Sequence, residues 1–147
     1  MPLFFNYALI MAIIVHISCQ VFKVIYYSVR NGRFSLRYLI SPGGMPSTHS
    51  AFTATVTFTL GLLKGFDTEY FAIAAVFTSV VVYDSLRLRG AVQTLADIMR
   101  KNRGIPEKDK MRIPDMIGHT LPEIVVGIVM AMITSIIGYL CRGYFGL

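Results

Sequence analysis

Four long apolar runs constrain this chain more than any other feature. They fall at about residues 3–29, 48–64, 69–88 and 119–141. As helices they come close to the ~20 residues needed to cross a hydrocarbon layer of ~30 Å at 1.5 Å per residue. Charged residues make up only 15% of the 147, and the mean hydropathy is +0.60, whereas soluble domains carry about 25% charge. The chain is therefore expected to be all-α, a polytopic membrane bundle of about four transmembrane helices forming a single domain over residues 1–147. Thr53, Thr55, Thr57 and Thr59 alternate as a strand would. Lipid tolerates strands only in closed barrels, and no other segment repeats that alternation, so a helix is expected there too. The first run has no basic residue before Lys23 and no convincing cleavage site, so it reads as a retained helix rather than a secretion signal.

Charge is distributed unevenly between the two sides. Arg30, Arg33 and Arg37 follow the first run. Arg87, Arg89, Arg100, Lys101, Arg103, Lys108, Lys110 and Arg112 follow the third, while the opposite side has only Lys64 and Arg142. Positive residues stay on the cytoplasmic side, so both basic connections are expected there, with both termini outside. The polar segment 100–118 reads as a cytoplasmic loop or short surface helix drawn to anionic headgroups, or alternatively as a lid over a substrate. Cys19 and Cys141 lie inside apolar runs, with no metal or disulfide spacing.

Four small constellations gather on that cytoplasmic side. "GGMPSTHS" opens the second run. Ser47 reads as a helix N-cap, Gly44 permits close approach, and Ser47, Thr48 and His49 surround a helix N-terminus whose unpaired amides suit an anion. "GHTLPEIVVG" opens the fourth run, placing His119 and Glu123 on one helical face, where a carboxylate can hold one ring nitrogen and leave the other for chemistry. Lys23 and Arg30 are seven residues apart and so point the same way at the end of the first run. "YDSLRLRG" ends the third run with Asp84, Arg87 and Arg89; an aspartate near membrane depth needs a basic partner, Arg87 or one on another helix. Singly, these are a capped helix, a structural ion pair, snorkelling lysines and interface anchors. Their convergence on one edge points to a phosphate site, since guanidinium forks match phosphate oxygens. His16, in mid-run, reads as a buried interhelical hydrogen-bonder outside that site.

These motifs resemble those of the type 2 phosphatidic acid phosphatase superfamily, which includes the vanadium haloperoxidases, and most closely its divergent small bacterial and plant branch. Lys23 and Arg30 match the spacing of the first family motif, with Asn31 where the family has proline. Pro46-Ser47-Thr48-His49 matches the second, with threonine for glycine. His119 and Glu123 match the end of the third, with glutamate for aspartate, and "YDSLRLRG" is similar to its displaced Ser-Arg element, with residues 90–118 as an inserted loop. Arg87, Arg89 and Arg112 compete for the role of the third-motif arginine. The resemblance implies a lipid phosphate phosphatase. His119 would be the nucleophile forming a phosphohistidine, Glu123 its holder and His49 the acid and base. Lys23, Arg30, Arg87, Arg89, Ser47 and Thr48 would bind phosphate, supported by Asp84 and Gly44. It implies no metal and no cofactor, a lipid phosphate in the bilayer as partner, no nucleic acid, a bacterial inner membrane location with the site facing the cytoplasm, and room for a homodimer. The rival reading is a non-catalytic membrane protein binding anionic lipid headgroups or a partner protein. A transporter is disfavoured because the ionisable groups sit at an edge rather than the midplane.

Overall fold

The computed structural model describes residues 6–39, 43–111, 113 and 118–145, excluding the side chains of Arg37 and of residues 143–145. Among the described residues six α-helices follow in order: α1 Tyr7–Asn31, α2 Thr48–Lys64, α3 Glu69–Leu86, α4 Leu88–Lys101, α5 Glu107–Lys110 and α6 Leu121–Phe145, with a 3₁₀ turn at Leu36–Leu39. Among the described residues three helical runs, Tyr7–Asn31, Glu69–Lys101 and Leu121–Arg142, are long and apolar enough to cross a membrane. The fourth run of the sequence, α2, has 17 residues, about 25 Å of helix at 1.5 Å per residue. It is the central helix, packed against α1, α3 and α6.

Small residues face inward and large ones outward. On α1, Ala8, Met11, Ala12, Val15 and Cys19 form the buried stripe, and Ile10, Ile13, Ile14, Ile17 and Val21 are exposed. Lipid is as apolar as leucine, so burying leucine gains little there. Close backbone approach through small residues and interhelical hydrogen bonds hold such bundles instead.

That rule explains the alternating threonines of α2. Thr53, Thr55 and Thr57 donate to the carbonyls of His49, Ala51 and Thr53, four residues back. This is a helical pattern that leaves no hydroxyl bare in lipid. Thr57 also meets Thr78 of α3 at 2.9 Å, and Thr59 donates to Ser135 of α6 at 3.1 Å. The helix ends follow local rules. Asn6 caps α1 through the Leu9 amide, Thr68 caps α3 through the Phe71 amide, and Gly32 closes α1 at φ +63°.

Two expectations are corrected by the fold. Residues 90–101 are not loop: the backbone ladder runs through Arg87, whose amide reaches the Tyr83 carbonyl and whose carbonyl takes the Ala91 amide, into α4. Leu88, Val92, Leu95 and Met99 recur at helical spacing and form an exposed apolar face. His16 is not a buried hydrogen-bonder. It is exposed, with its ring edge-on to Phe52 at 6.0 Å between centroids.

Gly127 lets α6 approach the start of α2 closely, since a Cβ there would sit 2.6 Å from the Ser47 carbonyl oxygen. Gly127→Ala must push backbone away from backbone and is expected to cost about 1–3 kcal/mol, read as a lower melting temperature in detergent. Gly90→Ala, with nothing within 4 Å of its added methyl, should leave the melting temperature unchanged or raise it. Equal melting of the two variants would contradict this packing.

Candidate active site

The site is built on the first turn of α6. Thr120 precedes the helix, and Glu123, three residues on, reaches back so that its Oε2 accepts the Thr120 amide at 3.2 Å. Thr-x-x-Glu is a capping-box pattern, and here the capping carboxylate has a second task. The same Oε2 pairs with His119 Nδ1 at 3.0 Å. With the proton of a neutral imidazole held on Nδ1 by the carboxylate, Nε2 carries the lone pair. The His119 side chain is fully buried, and its Nε2 has no hydrogen-bond partner among the described residues.

Two backbone contacts bring other helices to that turn. The Glu123 carbonyl accepts the Ser47 amide at 2.9 Å, joining the start of α2 to the start of α6. The His119 amide donates to the Ser85 carbonyl at 3.4 Å, joining the end of α3. Gly118 lets this happen, because a Cβ there would lie 2.8 Å from the Arg89 carbonyl oxygen at the head of α4. Lys23 of α1 is 1% exposed, its Nζ donating to the Gly43 carbonyl at 3.1 Å. Its charge is felt at Glu123 and at His49, and His49 also lies within electrostatic reach of Arg89 and His119.

Lys23, His49, Arg89, His119 and Glu123 thus surround one end of the bundle. Thr48 belongs with them as the first residue of α2, with its hydroxyl buried and unpartnered among the described residues. The other expected residues are placed differently. Ser47 stands at the N-cap, but its hydroxyl donates to Ser50 Oγ at 2.9 Å and caps nothing. The first amides of α2 therefore have no side-chain cap. Gly44, at φ +86°, makes room for the Tyr27 hydroxyl, which would lie 2.6 Å from a Cβ and which accepts the Met45 amide. Arg30 does not share Lys23's direction. It is exposed and borders an outward groove with Phe22, Ile25, Tyr26 and Val29. The partner of Asp84 is Arg89, across the α3–α4 junction, with Nε 3.2 Å from Oδ2. Arg87 is exposed. Arg112 lies outside the described residues, as does the side chain of Arg37.

A sequence model of the divergent PAP2 family matches residues 4–134. The chain is also similar to a protein of Bacillus subtilis (strain 168) described as uncharacterized membrane protein YuiD. The two are 26% identical over 155 residues, which span 95% of this chain and 98% of that protein. No solved structure matches.

The Glu123 contact favours the His119 tautomer with its proton on Nδ1, and that can be read without any activity. Nitrogen-15 histidine spectra of the detergent-solubilised protein should show His119 with its proton on Nδ1. Glu123→Gln, whose side-chain oxygen is a weaker acceptor, should mix the tautomers. An Nε2-protonated His119 in the wild type would contradict the geometry.

Proposed function

The chain belongs to the divergent PAP2 family, and from that membership together with the buried His119–Glu123 pair we propose that it is a membrane lipid phosphate phosphatase. The carrying observation is the His119 ring, held through Nδ1 with Nε2 unpartnered among the described residues, while His49 lies within electrostatic reach of His119, Lys23 and Arg89. Orienting an imidazole by a carboxylate is how a neutral ring becomes a competent nucleophile or base.

In the proposed reaction the Nε2 lone pair attacks phosphorus. The bond from phosphorus to the lipid oxygen breaks, and that oxygen leaves with the electron pair and takes a proton from His49. His49, now neutral, removes a proton from water, and the water oxygen attacks the phosphohistidine. The P–N bond breaks, its electrons return to Nε2, and inorganic phosphate is released. Lys23, Arg89 and the uncapped amides at the start of α2 offset the charge that spreads over the phosphoryl oxygens. Substrates of this chemistry are phosphatidylglycerophosphate, phosphatidate or a polyprenyl phosphate or diphosphate, presented from the cytoplasmic leaflet of a bacterial inner membrane. No step needs a metal or cofactor. The basic side chains after α1 and α3 support the orientation.

The rival reading, a non-catalytic binder of anionic headgroups, draws on the exposed apolar face of α4 and the basic Arg100, Lys101 and Arg103 at its end. Such a binder has no use for an oriented imidazole, so turnover separates the two readings.

Purified protein should release phosphate from one of these lipids with and without chelator, and His119→Ala should abolish release while the protein still folds, read as a cooperative melting transition whose midpoint falls with loss of the Glu123 contact. Wild-type-like turnover by that variant would sink the assignment. His49→Ala is expected to lose about 10²–10⁴-fold on lipid substrates and much less on an aryl phosphate, whose leaving group needs no proton. Equal losses on both would remove His49 from the acid role.

A further inference from the structure

Among the described residues, four buried side-chain polar atoms have no hydrogen-bond partner: Gln20 Oε1, Thr48 Oγ1, Ser85 Oγ and His119 Nε2. Thr48, Ser85 and His119 are more than nine-tenths buried, at 4%, 1% and 6% exposure. They come from the start of α2, the end of α3 and the start of α6, and the two backbone bonds Ser47–Glu123 and His119–Ser85 draw those three helix ends to one place. Orphaned polar atoms are costly and scarce in a folded protein, so three at one junction mark a position that an external group completes.

Ser85 is the informative member. A helical serine or threonine in lipid ordinarily returns its proton to the carbonyl four residues back. This chain does so repeatedly: Ser18 to Ile14, Ser79 to Ala75, Thr55 to Ala51, Thr57 to Thr53 and Thr94 to Gly90. Ser85 lies within α3 and has a carbonyl four residues back at Val81, yet its hydroxyl makes no such bond. Its carbonyl meanwhile binds the amide of His119 itself.

We infer that the Ser85 hydroxyl, with that of Thr48, donates to the non-bridging oxygens of a tetrahedral oxyanion whose central atom faces His119 Nε2, making Ser85 a further substrate-contacting residue. An anion fits the position better than water. The first amides of α2 lack a side-chain cap, and Lys23 and Arg89 are within electrostatic reach of the adjoining His49. Both hydroxyls can donate, whereas Nε2, with the ring proton on Nδ1, supplies a lone pair. That is the donor and nucleophile set a phosphoryl group requires. The inference rests on the phosphatase reading for its chemistry, but the oxyanion seat itself can be tested without turnover.

The test compares wild type, Ser85→Ala and Ser79→Ala in detergent. Three quantities are read: orthovanadate affinity by vanadium-51 NMR, kcat/KM on a lipid phosphate, and melting temperature. Vanadate supplies the tetrahedral and five-coordinate oxyanion geometries of phosphoryl transfer. Ser85→Ala is expected to weaken vanadate binding and kcat/KM by about tenfold or more, with an unchanged or higher melting temperature because a buried unpartnered hydroxyl is gone. Ser79→Ala, which loses only a bond to its own helix, should match wild type in affinity and turnover. A wild type that binds vanadate in a Ser85-dependent way but hydrolyses no lipid phosphate keeps the oxyanion seat and ends the phosphatase reading. Unchanged vanadate affinity in Ser85→Ala, with turnover intact, overturns the inference and leaves the phosphatase reading standing. A wild type blind to vanadate overturns the inference, and so does a drop in the melting temperature of Ser85→Ala, which would make the serine a structural one.

Discussion

Glu123 is the residue through which the site is assembled. Its side chain closes the first turn of α6 through the Thr120 amide and orients the His119 ring, and its carbonyl anchors the start of α2 through the Ser47 amide. A charged carboxylate near membrane depth is expensive unless it is paired. Here its partners are the elements that must be brought together, so the cost of keeping the charge is offset by helix assembly. The extra methylene of glutamate over aspartate lets one oxygen reach both the ring and the capping amide.

The surrounding bundle is organised around a short helix that would be too polar for a lipid-facing position. α2 carries buried hydroxyls on all its inner surfaces, and it is tolerated because α1, α3 and α6 enclose it and because the threonines bond to carbonyls of their own helix and to Thr78 and Ser135. The large aliphatic side chains of α1, α3 and α6 turn outward, where lipid replaces the solvent a soluble protein would meet. The close approach of Gly127 to Ser47 then carries this packing to the end of the bundle that holds His119 and Glu123.

Much of this is legible in the sequence, and what is not divides into local signals masked by charge and features set by tertiary packing. The apolar runs mark α1, α3 and α6, and the run at 48–64 coincides with α2. The i, i+4 spacing of His119 and Glu123 announces their pairing, and the Thr-x-x-Glu capping box written over the same residues went unread although it was there to find. α4 was missed because the charges of Arg87 and Arg89 look like a helix end, while the spacing of Leu88, Val92, Leu95 and Met99 was the available signal. Other features depend on tertiary context that periodicity does not encode. Lys23 and Arg30 lie on nearly one helical face, yet the bundle covers the first and leaves the second exposed. Ser47 has the residue type and position of a cap, but Ser50 takes its hydroxyl. Nothing local distinguishes Ser85 from Ser79, and only the enclosed site makes the first an orphan.

In the proposed reaction His119, held by Glu123, takes the phosphoryl group on Nε2. Rapid quenching of the protein with a lipid phosphate carrying labelled phosphorus measures this directly. A phosphohistidine intermediate gives a transient label that is stable to alkali, lost in acid and confined to the peptide containing His119. Turnover with no covalent label at any quench time, or a label on another residue, would contradict it.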